Sequence, residues 1–323
     1  MNLAPYTTFG VEANCTTFIE VHTVAELQEA LKEYPSARIL GGGSNVLITK
    51  VIDEAVIKIS IDGITEEEGR VTVGAGVIWH DLVTWAVEQD LGGIENLALI
   101  PGTVGAAPMQ NIGAYGVEQV ECFVELEAVN RSTGETRTFS KDECEFGYRT
   151  SVFKTSLRDQ FVITSVTYQL ETTANKLNIS YKDVAQRLSE HHAPLTIKDV
   201  YDVVVEIRRN KLPDPEEIGN AGSFFKNPVV SADKAQSLMA ENAGMPNYEQ
   251  ADGTVKVPAA WLIDQCGWKG HRNGDAGVHT KQALVLVNHG NATGSQLLDL
   301  ADRIQTSVND RFGITLEREV NVW

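Results

Sequence analysis

Ile100-Pro101-Gly102-Thr103-Val104-Gly105-Ala106-Ala107-Pro108-Met109-Gln110-Asn111-Ile112-Gly113-Ala114-Tyr115-Gly116 runs without a charged side chain and is built mostly of small residues. A surface loop of that length is ordinarily more polar, whereas backbone packed along a flat cofactor needs this composition. Glycine is concentrated at one other place, Gly41-Gly42-Gly43-Ser44-Asn45, between the strand pattern Arg38-Ile39-Leu40 and the apolar run Val46-Leu47-Ile48. Glycines at a strand end let the backbone approach a phosphate, with free N–H groups as donors. The loop is neither a GxGxxG opening a long helix nor a GK[ST] loop, so dinucleotide-fold and P-loop readings both fail. On the glycines alone, a tight strand–turn–strand serves equally well.

Outward from these stretches the pattern is mixed α and β. Thr23-Val24-Ala25-Glu26 has the form of a capping box, and Leu27, Ala30 and Leu31 form the apolar face of the helix it opens. Segments 55–59 and 71–75 read as strands, and Leu82, Val83 and Ala86 mark a helix that stops at Gly92-Gly93. Residues 123–129 and 135–139 flank a polar turn with Gly134, a hairpin signal, and 161–170 is a further strand. Val200, Val203, Val204 and Ile207 predict a helix ending before Pro213, and Lys211-Leu212-Pro213-Asp214-Pro215 is the best linker candidate. Leu297, Ala301, Ile304 and Val308 mark a last long helix stopped by Gly313.

The chain has 323 residues, 42% of them hydrophobic, which predicts more than one domain with substantial cores. Its net charge of −17 opposes nucleic acid or an anionic membrane surface as main partner, though a small anion could be held by a local basic cluster. No apolar run approaches a membrane span. Met1-Asn2-Leu3-Ala4-Pro5-Tyr6 lacks the basic and apolar segments of a secretory leader, so a cytoplasmic protein is expected. Cys15, Cys122, Cys144 and Cys266 form no CxxC pair and the histidines no HExxH, so no metal site is expected.

Further signatures follow along the chain: Tyr148-Arg149-Thr150-Ser151-Val152-Phe153-Lys154, Lys211-Leu212-Pro213-Asp214-Pro215, Gly219-Asn220-Ala221-Gly222-Ser223-Phe224-Phe225-Lys226-Asn227-Pro228, and Ala260-Trp261-Leu262-Ile263-Asp264-Gln265-Cys266-Gly267. Gly277-Val278-His279 and Leu316-Glu317-Arg318-Glu319-Val320 close the series. In this order, over almost the whole chain, they resemble the UDP-N-acetylenolpyruvoylglucosamine reductases, the MurB family. Asn178-Ile179-Ser180-Tyr181-Lys182-Asp183 is similar to the longer subtype, in which a tyrosine loop closes over the substrate. The chain stops at Asn321-Val322-Trp323, where many relatives run further.

The resemblance implies an α+β protein: a vanillyl-alcohol-oxidase (PCMH) type FAD-binding fold in two pieces, about 1–62 and 63–211, and a C-terminal α/β substrate-binding domain over 212–317, with 318–323 returning to the first piece. It implies non-covalent FAD held by Gly41, Gly42, Gly43, Ser44, Asn45, Val46 and Leu47, and by Ile100, Pro101, Gly102, Thr103, Val104, Gly105, Ala106, Gln110, Asn111, Gly113, Ala114, Tyr115 and Gly116. The implied reaction reduces the enolpyruvyl double bond of UDP-N-acetylglucosamine enolpyruvate, with NADPH as hydride donor.

That chemistry needs a clamp for charge arriving in the conjugated carboxylate and one proton donor. Arg149 matches the clamp, since its planar fork suits a carboxylate and stays charged; outside the motif it reads as a surface arginine. Ser223 matches the proton donor, although a turn serine is the plain alternative. Glu319 matches a second stabiliser, acting as an acid or by orienting neighbours. Tyr148, Tyr181, Lys211, Asn227 and Lys256 are the substrate-binding candidates, with Lys226 joining the local basic cluster. A monomer is expected. The rivals are another FAD oxidase of the same fold and a non-catalytic nucleotide-sugar sensor. No histidine in or beside Gly41–Leu47 offers a covalent flavin tether, and a sensor needs no proton donor.

Overall fold

The structure, a computed structural model, describes residues 1–172, 177–189 and 194–323. They divide into two compact units: Met1, Cys15–Gly42 and Asp53–Asn210 form the first, and Asn2–Asn14, Gly43–Ile52 and Lys211–Trp323 the second.

The first unit opens with a three-stranded parallel sheet in which Val56–Ile59 lies between Phe18–Val21 and Arg38–Leu40. Helix α1 (Val24–Glu33) buries Leu27, Ala30 and Leu31. Thr23 caps it, accepting from the Glu26 N–H at 3.2 Å. The return bond expected of a capping box is displaced by one residue, because the Glu26 carboxylate accepts from the His22 N–H at 2.7 Å. A five-stranded antiparallel sheet follows, in the order Thr136–Ser140, Phe123–Asn130, Phe161–Gln169, Arg70–Gly74, Ile64–Glu67. The hairpin turn after Asn130 forms because its side-chain Oδ1 accepts from the N–H groups of Ser132 and Thr133, an Asx turn. Helix α2 (Trp79–Glu88) packs Leu82, Val83 and Ala86 into the core, with the Trp79 ring edge-on to Tyr168 at 5.8 Å. Helix α3 (Lys182–Leu188) adds Val184 and Leu188, and α4 (Ile197–Lys211) adds Val200, Val203, Val204 and Ile207.

In the second unit, a four-stranded antiparallel sheet runs Gly219–Ser223, Val285–Asn288, Ala276–Val278, Arg272–Asn273. Helices α5 (Ala232–Glu241), α6 (Ala259–Gln265) and α7 (Gly294–Phe312) complete its core. Thr293 and Gln296 form a reciprocal capping box at the start of α7. Such a cap contributes about 1 kcal/mol. Each of Leu297, Leu300, Ile304 and Val308 is fully buried and, at about 1.5–3 kcal/mol apiece, their stripe rather than the cap sets the helix's orientation. The chain ends as strand Asn321–Val322, parallel to Val46–Leu47, and the Trp323 C=O accepts from the Thr49 N–H at 2.8 Å. Among the described residues, no helix is long and apolar enough to cross a membrane.

Candidate active site

Within the first unit, Gly41 and Gly42 of the first glycine-rich stretch meet the second stretch. A Cβ on Gly41 would lie 2.9 Å from the Thr103 hydroxyl, and one on Gly42 would lie 2.7 Å from the Gly102 Cα. The second contact falls on backbone, which cannot yield as a flexible side chain would, so only glycine fits at 42. Among the described residues, the N–H groups of Gly41, Gly42, Gly43 and Ser44 meet no backbone acceptor. A run of such donors, with no acidic side chain in the loop, suits the diphosphate of a dinucleotide. FAD therefore fits the residues present. Gly42→Val is expected to weaken FAD binding about 5- to 150-fold, since forced overpacking costs about 1–3 kcal/mol; flavin absorbance retained after gel filtration checks it.

Arg149 sits on the second glycine-rich stretch. Its Nη2 donates to the Gly113 carbonyl at 2.6 Å and its Nη1 to the Asn111 carbonyl at 3.3 Å, with the guanidinium 5.4 Å from the Tyr148 ring centre. Arg149 itself has φ of +55°, held by paired backbone bonds between Gly147 and Thr150 at 3.2 Å. The same strip is tied further along: Ser151 donates its hydroxyl to the Met109 carbonyl at 2.7 Å, and the Lys154 ammonium donates to Gln110 Oε1 at 3.4 Å. Tyr148 and Tyr181 are exposed, and Tyr181 meets Tyr115 edge-to-face at 5.1 Å.

Asn96 was not signalled by any motif. It is buried, and its Nδ2 donates to the Tyr115 carbonyl at 3.1 Å and to the Asn178 carbonyl at 2.8 Å, fastening the tyrosine-bearing segment to the glycine-rich turn. Asn178 Nδ2 donates in turn to the Gly116 carbonyl at 2.9 Å. Nearby Glu95 is buried and accepts from the Gly93 N–H at 2.6 Å; desolvation raises its pKa and that bond opposes the rise.

Ser223 and Glu319 come together in the second unit. Ser223 ends its strand beyond a bulge, where Gly222 has φ of +67° and donates its N–H to Asn220 Oδ1 at 3.0 Å. Ser223 is exposed, while Phe224 and Phe225 behind it are fully buried. The next residues pair with the chain's last segment: Glu319 N–H donates to the Phe224 carbonyl and Lys226 N–H to the Glu317 carbonyl, both at 2.9 Å. Asn45 joins them, its Nδ2 donating to the Glu319 carbonyl at 3.2 Å.

The basic residues are more dispersed. Lys211 ends α4 and is exposed. Lys256 lies in a small sheet directly between Val229 and Tyr248. Asn227 Oδ1 accepts from the Ala259 N–H at 2.9 Å at the start of α6. Lys226 makes an ion pair with Glu317, so its charge is already shared with a carboxylate.

Residues 214–323 match a sequence family described as UDP-N-acetylenolpyruvoylglucosamine reductase, C-terminal domain, and residues 16–140 match one described as FAD binding domain. The chain is 50% identical over 329 residues to a UDP-N-acetylenolpyruvoylglucosamine reductase of Flavobacterium johnsoniae, covering 99% of this chain and 98% of that one. With the protein of that name from Pseudomonas aeruginosa the identity is 46% over 332 residues, with 100% and 97% coverage. The crystal structure of the corresponding reductase from Thermus caldophilus is 27% identical and superposes with a TM-score of 0.70, over 100% of this chain and 97% of that one.

Proposed function

The chain belongs to the UDP-N-acetylenolpyruvoylglucosamine reductase family, and we propose that Arg149, Ser223 and Glu319 carry the family's reaction in it. The protein is an FAD-dependent oxidoreductase of vanillyl-alcohol-oxidase fold type. It reduces the enolpyruvyl double bond of UDP-N-acetylglucosamine enolpyruvate with NADPH, giving UDP-N-acetylmuramate for peptidoglycan synthesis. Near-50% identity across its full length carries that assignment.

Bound FAD would supply the hydride relay between NADPH and the alkene. The rest falls to the protein. Gly41–Leu47 and Ile100–Gly116 would hold the flavin, the first through backbone N–H groups and the second through an uncharged wall. As the alkene gains electron density, negative charge moves into the substrate carboxylate, and Arg149 neutralises it. The two bonds from Arg149 to Asn111 and Gly113 support this role, because they orient the fork before substrate arrives. The Ser223 hydroxyl delivers the proton to the carbon left electron-rich. Glu319, on the neighbouring backbone segment, stabilises the same charge or orients the serine. Tyr148, Tyr181, Lys211, Asn227 and Lys256 bind the nucleotide-sugar diphosphate and sugar. In this division 1–62 and 63–211 serve the flavin and 212–317 the substrate, while 318–323 return to the first piece, a reading supported by the pairing of Asn321–Val322 with Val46–Leu47. The enzyme acts as a cytoplasmic monomer, where NADPH and nucleotide sugars are made.

Purified protein is expected to be yellow and to oxidise NADPH only when the enolpyruvyl substrate is added. Rapid oxygen consumption without that substrate would mark an oxidase, and colourless inert protein a sensor; either contradicts the proposal. Acid precipitation should release all the yellow colour into the supernatant, because the flavin is not covalently held.

A further inference from the structure

Leu99 stands immediately before Ile100–Gly116 and has φ of +55°. That left-handed backbone is natural to glycine and strained for a branched side chain, so it persists only where neighbours hold it. Two side chains do so. The Leu99 N–H donates to His80 Nδ1 at 3.1 Å, and the Leu99 carbonyl accepts from Arg208 Nη2 at 3.2 Å.

The first turn of α2 grips the same segment on both sides of that residue. Trp79 Nε1 donates to the Leu97 carbonyl at 3.0 Å, and the Trp79 backbone N–H donates to the Gly102 carbonyl at 2.9 Å. Gly102 is the residue whose Cα lies against Gly42. His80 is thus linked through Leu99 to the contact where the two flavin-binding stretches meet.

His80 can accept this bond only as a neutral ring protonated on its other nitrogen. Its surroundings keep it so. The ring stacks on Tyr201 of α4 at 6.0 Å with 10° between planes, and Tyr201 is fixed by a 3.0 Å hydrogen bond with Thr84. Burial lowers the imidazole pKa, Arg209 and Arg208 of α4 lower it further, and Asp81 on its own helix opposes them.

We propose that His80 is a positioning residue for the flavin: its Nδ1 holds Leu99 in the left-handed conformation and so sets the turn Ile100–Thr103 against Gly41–Gly42. This rests on the reading that those stretches bind FAD. The residue acts through Leu99 and touches neither substrate nor reacting atom.

The test compares wild type with His80→Ala, His80→Asn and the double variant His80→Ala/Leu99→Gly, measuring FAD affinity by quenching of free FAD fluorescence and amide exchange across 97–116 with and without FAD. His80→Ala should weaken FAD binding about 10–100-fold, the loss of one half-buried hydrogen bond together with released backbone strain, and should speed exchange at Leu99. Asparagine places a carbonyl oxygen where Nδ1 lies and should restore affinity to within about threefold of wild type. Glycine at 99 adopts the conformation unaided and should recover most of the loss. The proposal is overturned if His80→Ala binds FAD as wild type does, or if neither asparagine nor the glycine double variant improves on alanine. Wild-type FAD binding that leaves exchange over 100–116 unchanged would instead sink the flavin reading itself, and is told apart because it appears without any mutation.

Discussion

Ser223→Ala is expected to leave flavin reduction by NADPH at the wild-type rate while slowing reoxidation by the enolpyruvyl substrate by roughly 10²–10⁴, the usual contribution of a positioned proton donor. The asymmetry follows from where the proton is needed. Hydride transfer into the flavin creates no carbanion on the substrate, so a donor at that carbon is idle until the second half. Ser223 is suited to such selective loss because its side chain is exposed at a strand end while Phe224 and Phe225 anchor the backbone beneath it, so removing one oxygen should not disturb the fold. Stopped-flow absorbance resolves the halves. Slowing of flavin reduction instead, or of neither half, would return Ser223 to the status of a turn residue. Glu319→Gln should slow the same half.

Arg149→Met should also slow the second half, by roughly 10²–10³, since it removes the charge that meets the developing enolate. Arg149→Lys should recover only part of this. A lysine keeps the charge but lacks the fork that spans the carbonyls of Asn111 and Gly113. Those bonds also predict a side effect absent from Ser223→Ala: without them the Asn111–Gly113 strip loosens, and FAD affinity should fall severalfold in both arginine variants. Equilibrium flavin titration separates that loss from the kinetic one. An Arg149→Met enzyme with an unchanged second half would remove arginine from the account.

Much of the framework was legible in the sequence, because the signals were local. The apolar stripes of α1, α2, α4 and α7 are buried where their spacing places them, and Gly313 ends α7 in the left-handed conformation. The hairpin about Gly134 pairs Phe123–Asn130 with Thr136–Ser140. Less visible was the partner of the short strand Val46–Leu47, which is the end of the chain at Asn321–Val322 and not a neighbouring strand. Parallel pairing over that separation leaves no periodic trace in either segment.

The site divided in the same way. Glycine and the uncharged composition of 100–116 marked the stretches proposed to hold the flavin, since close backbone approach restricts residue type. What supports those stretches carried no such mark. Asn96 acts through two hydrogen bonds and His80 through one, all to backbone groups of distant residues, which constrain geometry without producing a motif. Lys226 shows the converse. Its place in the basic cluster suggested an anionic ligand, yet it pairs with Glu317, a contact formed only once the last segment returns to lie against Lys226.

The central claim, that this chain passes a hydride to an enolpyruvyl alkene and protonates the product from its own side chain, is tested most directly by an anaerobic single turnover. The flavin is reduced with one equivalent of NADPH, the nicotinamide is removed, and UDP-N-acetylglucosamine enolpyruvate is mixed in. The account predicts that the oxidised flavin spectrum returns without oxygen, with one equivalent of UDP-N-acetylmuramate formed per flavin, and that Ser223→Ala makes the return roughly 10²–10⁴ slower. A flavin that stays reduced until oxygen is admitted, with substrate recovered unchanged, would contradict it.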